Sequence, residues 1–307
     1  MTTTRLELPV RAARAWRPRQ GWVGAAFDAV NVTLLLALCF VTAYPFWYVL
    51  VASVSDPLQL MAHRGLLLWP QGWSLEAFAR VWDNPMVRIG FFNTFVIVVG
   101  GTALNLVLTC FGAYALSRQR LKWETPLLLL VVFTLFFSGG LVPNYLLVRD
   151  LGLLDSRWAV ILPFAVSAWN LIILRAAFIA LPRDYEDAAR IDGANDFTIL
   201  WRVYVPLCLP TLSVVGLFYA VAHWNGYFWS MAFFTDRHLY PIQLVLREIL
   251  ITNSTDAMMT GEAVGREALA NAIKYATVVV ATLPILAVYP FLQRFFVSGV
   301  LIGGIKE

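Results

Sequence analysis

Residues 184–196 read D-Y-E-D-A-A-R-I-D-G-A-N-D, which places five carboxylates, one arginine and one asparagine in a single short stretch. The chain on either side is apolar, with no Asp, Glu, Lys or Arg from 158 to 174 or from 203 to 235. The island is either a surface loop of a soluble domain or a solvated turn between membrane crossings, and composition decides between them. The 307 residues are 60% hydrophobic and 14% charged, with a mean hydropathy of +0.70, whereas soluble domains run near a quarter charged. A globule of this length can bury a sizeable core but cannot also expose so much apolar side chain to water. A bilayer must solvate the remainder.

The charge-free runs mark the crossings: 29–55, 89–117, 125–148, 158–174, 203–235 and 275–293. Each approaches or exceeds the roughly 18–20 residues that carry a helix across about 30 Å of hydrocarbon. The fourth is short, but L-I-I-L-R-A-A-F-I-A (171–180) extends it past Arg175, whose head can snorkel to the interface. Long continuous runs exclude the roughly ten-residue alternating strands of a closed barrel. The expected fold is all-α and integral to the membrane. Six transmembrane helices form one domain over 29–297, with tails at 1–28 and 298–307.

Lysine and arginine orient these helices. With the N-terminus in the cytoplasm, residues 1–28, 118–124, 175–202 and 294–307 lie inside and hold 14 of the 23 Lys and Arg. The external loops 56–88, 149–157 and 236–274 are longer in total and hold 9. Arg11, Arg14, Arg17 and Arg19, just before the first run, are the clearest part of the bias. That run is too long for the core of a secretory signal. Both ends of the chain are therefore expected in the cytoplasm, and the net charge of +4 reads as membrane orientation rather than affinity for nucleic acid.

Several chemistries are disfavoured. Cys39, Cys110 and Cys208 fall in apolar runs without C-x-x-C spacing and read as small buried hydrophobes. Three scattered histidines give no expectation of a metal site, and G-x-x-x-x-G-K-[ST] does not occur. The scarcity of charge inside the runs argues against a proton- or sodium-coupled carrier. Without paired carboxylates at a common depth, a membrane enzyme is equally disfavoured.

The island itself is built as two short helices meeting at a bend. Pro182 suits a helix start, and Asp184, Glu186 and Asp187 favour the positive end of the helix dipole. Gly193 should end that helix in the left-handed conformation. Asn195 or Asp196 can cap a second helix running to about Tyr204, with Pro206 opening the next crossing. On physics alone, an ordinary amphipathic interfacial loop reads the same way.

Asp187-Ala-Ala-Arg-Ile-Asp-Gly193, nine residues, then Val203-Tyr-Val-Pro206 resembles the E-A-A-x-x-x-G loop, with its I-x-L-P ending, of bacterial ABC importer permeases. Asp187 stands where that family has glutamate, and valines replace its isoleucine and leucine. The ending Q-R-F-F-V-S-G-V-L-I-G-G-I-K-E (293–307) looks like the carbohydrate-uptake, maltose-type branch. H-L-Y-P-I-Q-L-V-L-R (238–247) and H-W-N-G-Y (223–227) are similar to its oligosaccharide and polysaccharide-fragment subgroup. The resemblance implies that Glu186, Asp187, Ala188, Ala189, Asp192, Gly193, Ala194 and Pro206 belong to a coupling loop, about 182–206, that docks into an ATP-binding subunit. It implies further partners: a second homologous permease, two copies of the ATPase carrying ATP and Mg2+, and an extracellular solute-binding protein. No cofactor is implied in this chain.

Candidate pathway residues lie late in the fifth run: His223, Trp224, Asn225, Tyr227 and Trp229. Aromatic faces stack on sugar rings while amides and imidazoles bond hydroxyls, although an interfacial aromatic belt has the same composition. Asn93, Asn105 and Asn170, inside other runs, more often tie helices together than touch a substrate. In the external loop 236–274, Leu239–Leu250 reads as a short amphipathic helix followed by a turn at 252–255. The resemblance implies that this loop meets the binding protein, with Tyr240, Gln243 and Arg247 as candidate contacts, while a helix lying on the bilayer fits the residues equally. A same-branch permease for a polyol or glycerol phosphate stays open. Arginines facing the pore would favour it, and the first three runs and the fifth contain none.

Overall fold

The computed structural model describes residues 22–118, 123–259 and 264–303, and all regular structure among them is helical. The expected tails lie partly outside these residues. Helix α1 begins at Trp22, and the last helix runs to Gly303. The chain divides into two compact units, residues 1–48 and 49–307. In the first, the part of α1 (Trp22–Ser53) up to Tyr48 exposes Phe27, Val30, Leu34 and Leu38, side chains suited to hydrocarbon rather than water.

The second unit is organised by a single long rod. Asp56 caps α2 (Pro57–Ala62) by accepting from the backbone N–H groups of Leu58 and Gln59, and α3 (Glu76–Asp83) follows. Asn84 then caps α4 (Pro85–Ser117), with Pro85 in the first turn, where its missing N–H costs nothing. At 33 residues and 1.5 Å per residue, α4 is about 50 Å long. It packs chiefly on α8 (Ala168–Ile179), α12 (Leu209–Trp224) and α14 (Ile242–Met259).

Among the described residues, three helices are long and apolar enough to cross a bilayer: α1, α4 and the Glu267–Ala287 part of α15 (Val264–Gly303). The other three expected crossings are bent pairs, giving six when each pair counts as one. Helix α5 (Glu124–Phe136) meets α6 (Leu141–Asp150) at 115° across Ser138-Gly139-Gly140, with Gly140 at φ 77°. Helix α7 (Trp158–Ile161) and its 3-10 extension meet α8 (Ala168–Ile179) at 51°, where Ser167 caps the new helix. The third pair turns through 88° between the elbow and α12.

The elbow comprises α9 (Asp184–Ile191), α10 (Asp196–Ile199), a π turn over Leu200–Tyr204, and α11 (Val205–Leu207). Pro206, expected to open the next crossing, lies instead inside the elbow. Because it has no N–H, the turn before it widens, and the Val205 N–H reaches back to the Leu200 carbonyl. The crossing itself, α12 (Leu209–Trp224), starts after Cys208 with Pro210 in its first turn. Beyond it come α13 (Tyr227–Phe233), a 3-10 turn at Arg237–Leu239, α14 (Ile242–Met259) and α15 (Val264–Gly303). Helix α14 passes straight through the expected turn at 252–255. An established helix propagates more easily than it stops without glycine or proline.

Candidate functional site

Helix α9 ends in a complete Schellman motif. The Gly193 N–H bonds to the Arg190 carbonyl at 3.0 Å and the Ala194 N–H to the Ala189 carbonyl at 2.9 Å, with Gly193 at φ 80°. Ala189 and Ala194, the residues this motif brings together, both turn inward onto the apolar cluster of Tyr114, Phe178, Leu200 and Tyr204. Asn195 then caps α10 by accepting from the Thr198 N–H at 2.8 Å. The bend is thus set by a few adjacent residues.

The motif residues divide between two faces. Asp187, Ala188, Asp192 and Gly193 are exposed, alongside Tyr185, Ile191 and Phe197, the last three at 52%, 87% and 62%. An apolar surface of that kind next to carboxylates, on a solvated loop, suits contact with another protein. Glu186 faces the other way. Its carboxylate receives the guanidinium of Arg118, the Arg190 Nε at 3.1 Å and the Tyr204 hydroxyl at 2.9 Å. Arg118 and Tyr204 gave no local signal in the sequence, since the carboxylate they share lies 68 and 18 positions away.

A second feature lies deeper. A cavity of about 530 Å³ opens between α4, α8, α12 and α13, lined by Phe164, Trp169, Phe218, Tyr219 and Trp229 together with Asn105, Ser167, Asn170 and His223. Among the described residues, no charged side chain lines it. The Asn105 amide and the His223 Nε2 lie 3.0 Å apart, and with the amide oxygen turned to the ring the Nε2 donates to it while the amide nitrogen donates to the Gly101 carbonyl at 2.8 Å. The Tyr219 hydroxyl bonds Thr109 Oγ1 at 2.7 Å and accepts from the Ser167 N–H at 2.9 Å.

Of the five candidate pathway residues, the fold brings His223 and Trp229 to this cavity. Trp224 packs instead beside the cluster of Ala77, Ile242 and Ala276. Asn225 ends α12, and the Tyr227 ring lies 5.9 Å from the Arg247 guanidinium. Asn93 ties helices together. Its amide donates to the carbonyls of His238 and Tyr240 at 2.7 and 3.1 Å, and its oxygen accepts from Arg157 at 2.8 Å. Tyr240 is half-buried by that anchoring, whereas Arg247 is exposed and Gln243 half-exposed on one face of α14.

Residues 123–302 match the family described as binding-protein-dependent transport system inner membrane components. The chain belongs to that family. Over 283 residues it is 39% identical to Protein LplC of Bacillus subtilis (strain 168), covering 92% of this chain and 96% of the relative. It is also 39% identical to the polygalacturonan/rhamnogalacturonan transport system permease protein YtcP of the same organism, covering 91% of this chain and 98% of the relative. The structure superposes with a TM-score of 0.83 and 31% identity on a solved bacterial ABC transporter involved in import of the acidic polysaccharide alginate. That match covers 91% of this chain and all of the other. The permease is accordingly a multi-pass membrane subunit of a binding-protein-dependent ABC importer. It is a transport subunit and not an enzyme, and it works in a complex with an ATPase and a binding protein.

Proposed function

We propose that this permease imports an oligosaccharide in partnership with a second, homologous permease. The cavity carries this reading. A chamber of about 530 Å³ with five aromatic side chains, two amides, two serines and an imidazole offers stacking faces and hydroxyl-directed hydrogen bonds, and among the described residues its lining bears no charge. Support also comes from relatives named for glycan transport. Both names denote acidic glycans, so uronate oligomers are a second reading, in which the partner permease supplies the cation. A glycerol phosphate substrate fits less well, since among the described residues a phosphate would meet no guanidinium or ammonium at this cavity.

The elbow is the ATPase dock on the cytoplasmic side, presenting Asp187, Ala188, Asp192 and Gly193, with both chain ends on that side of the bacterial cell membrane. ATP and Mg2+ belong to the docked subunits. On the external side, Gln243 and Arg247 face the solute-binding protein, and Tyr240 sets the loop that carries them. The test is uptake by vesicles holding the whole complex, supplied with binding protein, ATP and labelled neutral or uronate oligosaccharides. ATP-dependent uptake of a neutral oligomer is the expected result. Uptake of uronate oligomers alone would establish the second reading, and uptake of neither would sink the oligosaccharide assignment.

A further inference from the structure

Arg118 sits at the very end of α4, and its guanidinium meets both helices of the elbow at once. One nitrogen contacts Glu186 of α9, and the other contacts Asp196 of α10 and the Tyr114 hydroxyl. The guanidinium also lies 4.4 Å from the Tyr114 ring centroid. Arg190 closes the figure from the solvent side, reaching Glu186 at 3.1 Å and Asp196 at 2.6 Å. Two cations and two carboxylates thus alternate around a polar hollow that Tyr204 and Arg183 also line. The inner pair is largely shielded, with both side chains only 18% exposed. A planar fork can hold several acceptors in fixed directions, which a lysine ammonium cannot do.

The other end of this connection is the cavity. Helix α4 runs without an internal proline or break from Pro85 to Ser117. Asn105, which holds His223, lies thirteen positions before Arg118, about 20 Å along the rod. Thr109, bonded to Tyr219, lies one turn beyond Asn105 on that residue's face of the helix. We propose that Arg118 is a positioning residue that bolts the elbow to α4, so that movement of the elbow is delivered along one rigid helix to the Asn105–His223 and Thr109–Tyr219 contacts. A long unbroken helix transmits an axial shift or a rotation, whereas the bent segments on either side would absorb it.

This inference rests on the docking role of the elbow, and the experiment separates the two. The assembled complex is reconstituted with Arg118→Met, Arg118→Lys, Glu186→Gln and the double variant Arg118→Met/Glu186→Gln. Co-purification of the ATPase, ATP hydrolysis with and without binding protein, and uptake are then measured. Arg118→Met should keep its ATPase and hydrolyse ATP, while uptake per ATP falls about tenfold, within the usual range for coupling between two sites. Lysine should restore part of the ratio. The double variant should be no worse than Arg118→Met, because both substitutions break one link. An unchanged uptake ratio in Arg118→Met overturns the inference and leaves the elbow's docking role standing. So does loss of the ATPase, since it would place Arg118 in the docking contact itself. A Gly193→Val complex that keeps both its ATPase and normal uptake would instead bring down the docking role.

Discussion

His223 occupies the space that a side chain at Gly101 would fill: a β-carbon there would stand 2.6 Å from the imidazole Nε2. Gly101 and Asn105 are one helical turn apart on α4, so a single face of the helix admits the ring and then bonds it. Gly101→Ala should therefore push the ring off Asn105 and cost about 1–3 kcal/mol by overpacking. In a His223→Ala background the same substitution should be nearly neutral. Melting of the detergent-solubilised complex in all four combinations reads this coupling directly, and an equal loss in both backgrounds would refute it.

Gly193 is a different case, because beyond its own chain neighbours nothing among the described residues lies within 4 Å of a β-carbon added there. Its constraint is the backbone, at φ 80°. Gly193→Val should cost on the order of 1–2 kcal/mol of local strain and disturb the elbow, with Ala milder and Asn milder still. Uptake at matched expression should follow the order Gly, Asn, Ala, Val. Normal uptake by the valine variant would contradict it. Asp187→Glu, which lengthens an exposed side chain in an unstrained helix, should transport normally.

Arg175 does not snorkel freely. Its Nε donates to the Leu116 carbonyl at 2.7 Å and its Nη2 meets Glu124, tying the end of α4 to α5 and α8. The two side chains are 17% and 22% exposed, so removing one partner leaves a shielded charge. Glu124→Ala should destabilise by about 1–3 kcal/mol. The double replacement Glu124→Leu/Arg175→Leu should cost less than that single change. Thermal melts decide the point, and simple additivity would show that the pair does not interact.

Asp155 joins two distant loops. It is the one non-glycine residue with positive φ among the described residues, at 55°, and its carboxylate accepts from the backbone N–H groups of Thr235 at 2.6 Å and Asp236 at 2.9 Å. The Asp236 N–H, followed by that of Thr235, holds the carboxyl below its ordinary 3.8. A pKa lowered by folding means the contact stabilises above the ordinary value and is lost as pH falls through the folded one. Proteolysis of residues 234–240 should therefore rise in the wild type only below about pH 4. Asp155→Ala should be cleaved several-fold faster at neutral pH, with Asp155→Asn between the two. A wild-type cleavage rate that is flat down to pH 3 would count against the staple.

How far the fold could be read depended on the range of the forces involved. The apolar runs, the Asn195 cap and the end of α9 at Gly193 were legible because each is settled within a few residues, by hydropathy, by one side-chain oxygen or by one φ angle. The breaks at Gly139-Gly140 and before Pro210 were present as letters. A glycine or proline inside an apolar run is also tolerated in unbroken membrane helices, so hydropathy alone passed over them.

The amino-acid sequence by itself determined an all-helical membrane protein, the elbow and its two-helix form, and the candidate residues on that elbow. Only the tertiary structure decided which of those residues face outward. Glu186 and Asp187 are neighbours with the same charge, yet one is gripped by Arg118 and the other is left exposed. The same holds for the cavity, where Asn105 meets His223 across 118 positions and Tyr219 meets Thr109 across 110. Local propensity decides whether a segment is helical and where it stops. Which side chain finds which partner follows from helix packing, and that depends on shape complementarity between segments far apart in the chain.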